Sequence, residues 1–95
     1  MASYRLSNKA SADLEQLYEY GILTFGLRPA DEYYDGLLAQ MQKIADQPNL
    51  YPAVDDIYAG YRRGMCCVHS IYYRIEADGV TIVRILGRQN PFEAF

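Results

Sequence analysis

The chain has 95 residues, 51% of them hydrophobic, and a formal net charge of −3. That length allows one core and no more, so residues 1–95 are read as a single domain. The composition excludes a disordered chain, no apolar run is long enough for a transmembrane helix, and the start Met1-Ala2-Ser3-Tyr4-Arg5 lacks the apolar region of a secretory signal; a cytoplasmic protein without membrane contact is expected.

Tyr4-Arg5-Leu6 alternates and reads as a first strand. Ser7 is a good N-cap for a helix, because its hydroxyl can accept from an orphan amide of the first turn. Ala10, Leu14, Leu17, Tyr18, Ile22 and Phe25 fall at steps of three and four, a helical stripe that Gly26 closes. Pro29 suits a first helical turn. Tyr33, Tyr34, Leu37, Leu38, Met41, Ile44 and Ala45 form a second stripe, ended by Pro48. The short link predicts an antiparallel helical hairpin. Asp13, Glu15, Glu19, Asp31, Glu32 and Asp35 lie on the polar faces and are expected to meet water.

Asn49 to Asp56 reads as a loop, and the periodicity then changes from 3.6 to 2. A strand is expected from Ile57 through Arg63, running on towards Val68 with a bend at Gly64. Ile71–Ile75 reads as another strand, with Tyr72 and Arg74 on one face and Ile71, Tyr73 and Ile75 on the other. Asp78-Gly79 signals a hairpin turn. Val80–Leu86 is apolar on both faces and should be central in the sheet. The tail from Gly87 to Phe95 reads as irregular and carries two aromatics that water would not require. The expected class is α+β, in the order β-α-α-β-β-β, with the helical hairpin packed on a mostly antiparallel sheet.

Charge is unevenly placed. Residues 1–59 hold four Lys/Arg against nine Asp/Glu, whereas residues 60–95 hold five cations, all arginine, against three acids. Arginine makes planar, bidentate contacts to carboxylates and phosphates, so the second part could meet an acidic partner or RNA. The chain as a whole is too acidic to hold nucleic acid by charge alone. Ten tyrosines and no tryptophan suit half-buried sheets and interfaces.

The chemistry-bearing residues are few. Cys66 and Cys67 are neighbours, which on a regular strand point to opposite faces and do not pair. His69 is the only histidine, and on a regular strand Cys67 would share its face. A backbone-bonded His at a strand start is the expected role. There is no Gly-rich phosphate loop, HExxH or CxxC pattern, so no catalytic, cofactor or metal residues are assigned.

Tyr4-Arg5-Leu6-Ser7, Ala10, Asp13-Leu14, Tyr18 and Tyr20 resemble the opening of ParE-type toxins. Gly60-Tyr61-Arg62, then His69 with Ile71-Tyr72-Tyr73-Arg74, then Val83 to Pro91, resemble their sheet and C-terminal motif. The resemblance, to the RelE/ParE toxin superfamily, spans almost the whole chain in order. It implies the toxin of a type II toxin–antitoxin system, held inactive by a ParD-like antitoxin that wraps the hairpin and sheet and itself binds operator DNA. ParE-like toxins poison DNA gyrase; the related RelE-like toxins cut mRNA on the ribosome.

A ribosome-dependent nuclease needs a dense cationic site and a general acid or base. RelE-like members use lysines, arginines and a C-terminal tyrosine. Here residues 60–95 have no lysine, and no tyrosine follows Tyr73. The expectation is therefore a non-catalytic gyrase inhibitor, with an mRNA endonuclease using Arg62, Arg63 and Arg88 as the alternative. Gly87 stands where many ParE-like chains carry a histidine. The residues expected to contact antitoxin or target are Arg62, Arg74, Arg84, Arg88, Phe92 and Phe95.

Overall fold

The computed structural model describes residues 2–87 and 91–95. Seven elements occur in order: β1 (Ser3–Leu6), α1 (Asn8–Phe25), α2 (Leu27–Asp46), β2 (Arg62–Cys66), β3 (His69–Glu76), β4 (Gly79–Leu86) and a short α3 (Pro91–Ala94). The strands form one sheet in the order β1-β4-β3-β2. β1 runs parallel to β4, and the other two pairings are antiparallel. This is the expected α+β arrangement, with the apolar strand β4 in the interior of the sheet.

The start of α1 is fixed as its sequence suggests. The Ser7 hydroxyl accepts from the Ala10 amide at 3.0 Å and donates to the Val83 carbonyl at 2.9 Å, so one side chain caps the helix and ties it to β4. Gly26 alone separates the two helices. Its φ of 97° is a backbone state that other residues enter only at a cost, and its amide closes α1 on the Ile22 carbonyl.

The hairpin covers one face of the sheet. Ala10, Leu14, Leu37, Met41 and Ile44 pack there on Ile71, Tyr73, Val80, Ile82 and Ile85, all buried. Gly64 lies in register opposite Ile71, in the middle of β2, and the strand does not break its pairing there. A Cβ on Gly64 would stand 2.7 Å from Ile44 Cδ1, so glycine serves close approach of α2 rather than the expected bend. The irregularity falls on β4 instead: Tyr72 pairs with Arg84 and Tyr73 with Ile82, leaving Val83 as the extra residue of a bulge.

Three further expectations give way. Ile57–Tyr61 is not a strand. The Ile57 and Tyr58 amides both donate to the Val54 carbonyl, and Tyr61 returns its carbonyl to the Val54 amide at 2.8 Å. The Asp55 carboxylate accepts from the Gly60 amide at 2.9 Å, and Gly60 has a φ of 84°. These local bonds close a loop that alternation alone does not disclose. That loop and α3 cover the second face of the sheet, where Val54, Tyr72, Val83 and Leu86 form a smaller core with Ile57, Tyr61, Ala94 and Phe95 against it. Tyr72 is thus buried and does not share an open face with the exposed Arg74. The end of the tail is helical rather than irregular.

Candidate functional site: an open groove at the tip of the hairpin

The tip of the hairpin is apolar and uncovered. Tyr20, Leu23, Phe25 and Leu27 are exposed, Leu23 by 88%. Phe25 belongs to the helical stripe yet lies outside the core, on the wall of a groove. Between this tip and the β2–β3 turn runs a groove of about 900 Å³. Leu17, Tyr20, Phe25 and Ala30 line its helical side, and Cys67, Val68 and His69 its sheet side. Gly21 keeps the helices close at this point: a Cβ there would sit 3.3 Å from that of Ala30.

Two polar assemblies bracket the groove. At one end Asp13 accepts from Arg84 twice, Nε at 2.8 Å and Nη2 at 3.0 Å, and from the Ile85 amide at 3.0 Å. Both side chains are mostly buried, with 19% of Arg84 and 13% of Asp13 exposed. A buried pair is held only when its remaining donors and acceptors are satisfied, and the backbone amide does this for Asp13. The hydrogen bond that Arg84 donates to Asp13 raises the Arg84 pKa above its ordinary value. Arg84 Nη1 also reaches the Ala94 carbonyl at 3.3 Å, which ties α3 to the sheet. Asp13 therefore departs from the water-facing acids with which its place in the sequence groups it.

At the other end Tyr33 and His69 join α2 to the turn. The Tyr33 hydroxyl shares a hydrogen bond with His69 Nδ1 at 2.6 Å and donates to the Cys66 carbonyl at 3.1 Å. Burial, then the neighbouring Cys66 and Cys67, push the Tyr33 phenol up to about 12, so it stays protonated. Burial lowers the His69 pKa, so this imidazole is held neutral. Cys67 lies in the turn with a φ of 55°, not on a regular strand, so the alternation that would send it away from Cys66 does not apply.

The sequence-selected residues fall in three places. Arg62 spends Nη1 on the Tyr51 carbonyl at 2.6 Å. Arg74 is exposed and pairs with Glu76 at 3.1 Å, and Arg84 is taken by Asp13. Phe95 packs edge-on against Tyr61 and Tyr72 and tilted against Tyr58, while Phe92 is 60% exposed. Arg88 lies outside the described residues. None of the described candidates lines the groove. The signal that marks it in the sequence is surplus apolar content: Tyr20, Leu23 and Leu27 fall off the stripe that packs on the sheet. Among the described residues no three His, Cys, Asp or Glu side chains gather as a metal site, and no helix is long and apolar enough to cross a membrane.

This architecture is that of a known toxin fold. The chain superposes on a solved structure of the chromosomal ParDE TA system from P. aeruginosa with a TM-score of 0.80, covering 94% of this chain and 98% of that one at 21% identity. Residues 4–92 match the family model described as the ParE toxin of the type II toxin-antitoxin system parDE, and the chain belongs to that family. Toxin ParE1 of Caulobacter vibrioides is 35% identical over 86 residues, 90% of this chain and 88% of that protein. Toxin ParE1 of Mycobacterium tuberculosis (strain H37Rv) is 31% identical over 84 residues, 87% of this chain and 86% of that protein.

Proposed function

We propose that this toxin acts by binding DNA gyrase in the cytoplasm, and that a ParD-like antitoxin silences it by laying an apolar segment in the groove between hairpin tip and β2–β3 turn. The antitoxin reading is carried by the open row Tyr20, Leu23, Phe25 and Leu27. Of these, Tyr20 and Phe25 line the groove, and exposed apolar side chains along a groove mark an interaction site. The solved neighbour is a ParDE system, which supplies the class of partner. Operator DNA is then reached only through the antitoxin, since a chain of net charge −3 is a poor ligand for a polyanion.

The non-catalytic reading is supported by how the arginines are used. Arg62 and Arg84 already serve internal acceptors, which leaves them poorly placed to gather on one phosphodiester. Arg74, Arg88 and the C-terminal aromatics Phe92 and Phe95 are the contact residues proposed for gyrase or antitoxin. Arg62 and Arg84 contribute by holding the 51–61 loop and α3 in place. The test is induced expression without the antitoxin in a bacterium. Filaments and a DNA-damage response with continuing translation are expected. Prompt arrest of translation without DNA damage would replace gyrase inhibition by mRNA cleavage.

A further inference from the structure

His69 opens β3, opposite Cys66 in the register with β2. Its ring is fixed by α2 rather than by the backbone expected of it. Nδ1 lies 2.6 Å from the Tyr33 hydroxyl, and the two rings meet edge-on with centroids 5.5 Å apart. The same hydroxyl lies 3.1 Å from the Cys66 carbonyl. A phenol has one proton to give, and a carbonyl has none. If Tyr33 gave its proton to Nδ1, the Cys66 carbonyl would face a bare phenol oxygen. One arrangement satisfies both contacts: Nδ1–H donates to the Tyr33 oxygen, and the Tyr33 O–H donates to the Cys66 carbonyl.

The other ring nitrogen is thereby defined. Burial holds the imidazole neutral, so a proton on Nδ1 leaves Nε2 bare, an acceptor only. Among the described residues His69 makes no hydrogen bond through Nε2. No buried side-chain nitrogen or oxygen among them lacks a partner, so Nε2 is open to solvent. His69 lines the groove beside Cys67, Val68 and Ile85. Val68 and Ile85 are apolar and a thiol is a weak hydrogen-bonding group, so Nε2 is the strong side-chain acceptor on the sheet side.

We propose that His69 Nε2 is a specificity-determining acceptor of the groove: the antitoxin segment seated there presents a hydrogen-bond donor to it, from a hydroxyl, an amide or a cationic N–H. A segment that covers Nε2 with an apolar group, or meets it with a carboxylate, leaves the acceptor unpaired. An unmade bond at a covered polar atom costs more than a made bond gains, so Nε2 discriminates between segments more than it adds to affinity. Tyr33 is the positioning residue, because its oxygen keeps the proton on Nδ1. This role rests on the groove being the antitoxin seat; the tautomer does not.

The experiment reads the imidazole nitrogen resonances of the full chain by NMR above the titration range of the ring, free and with the cognate antitoxin. Affinity and melting temperature of each variant are measured in parallel. The free chain is expected to carry its proton on Nδ1, and Tyr33→Phe to move it to Nε2. The antitoxin should shift the Nε2 resonance in the direction of an accepted hydrogen bond. His69→Leu is expected to weaken binding roughly tenfold, whereas His69→Gln, whose amide oxygen can stand in for Nε2, stays within about threefold of the unaltered chain. A proton on Nε2 in the free chain would overturn the proposal, as would an Nε2 resonance that the antitoxin does not move. Equal losses from His69→Leu and His69→Gln would reduce the ring to packing and overturn it too. A Tyr20→Ser, Phe25→Ser variant separates the two readings. If it binds weakly while folded His69→Leu binds like the unaltered chain, the acceptor role falls and the groove stands. If both bind like the unaltered chain, the groove reading fails and the acceptor role falls with it.

Discussion

The two ends of the helical hairpin use the same kinds of residue and meet opposite surroundings. At the base, Leu14, Leu37, Met41 and Ile44 are sealed against the sheet. At the tip, Tyr20, Leu23, Phe25 and Leu27 stand in solvent beside a groove of about 900 Å³. The base therefore supplies stability, while the tip leaves the apolar area that the proposed function assigns to a partner. Buried apolar area stabilises by about 25 cal/mol per Å², so an uncovered tip adds little to the fold and much to association.

The sharpest contrast between the ends comes from shortening a leucine at each. Leu37→Ala should destabilise by about 2–5 kcal/mol, because the side chain is wholly buried and leaves a cavity. Leu23→Ala should change stability by no more than about 0.5 kcal/mol. Urea unfolding of the two variants checks both; equal losses would erase the distinction between base and tip.

The boundary between the ends is the Asp13–Arg84 pair. Asp13→Ala leaves a mostly buried guanidinium and the Ile85 amide without their acceptor, and should cost on the order of 3 kcal/mol. It should also loosen α3, whose Ala94 carbonyl Arg84 holds. Faster amide exchange along 91–95 would report this, and unchanged exchange would detach the tail from the clamp.

The smallest expected effect is a pH dependence at the other bracket. Burial lowers the folded-state pKa of His69, so the unfolded chain binds its proton more readily. The contribution is intact above the unfolded value of about 6.5 and is lost as pH falls through the folded value. Between about pH 7 and pH 5 the chain should therefore lose more stability than His69→Gln does, measured as a shift in denaturation midpoint. Parallel curves for the two proteins would remove His69 from the account.

The elements are legible in the sequence wherever one local pattern decides the outcome. Ser7 is readable as a cap and Gly26 as a stop, and the helical stripe of residues 33–45 and the apolar run 80–86 each declare their element. What stays hidden depends on residues far apart. Asp13 and Arg84 are separated by 71 positions, and nothing in either neighbourhood marks them as partners. Ile57–Tyr61 alternates like a strand, but Asp55 and Gly60 fold it into a loop. Alternation puts Tyr72 on the face of Arg74 and does not disclose that the 54–61 loop and Phe95 cover it. The groove is marked in the sequence only by surplus apolar content, because Phe25 obeys the helical period and periodicity does not reveal that it stays exposed.

The central claim is that the hairpin tip is the seat of the antitoxin. It is tested most directly by titrating the cognate antitoxin against the unaltered toxin and against a Tyr20→Ser, Phe25→Ser variant, with thermal unfolding of each toxin measured in parallel. The account predicts a similar melting temperature and an affinity weakened by roughly 100-fold, as expected for two apolar anchors removed from one interface. Unchanged affinity in a folded variant would contradict it.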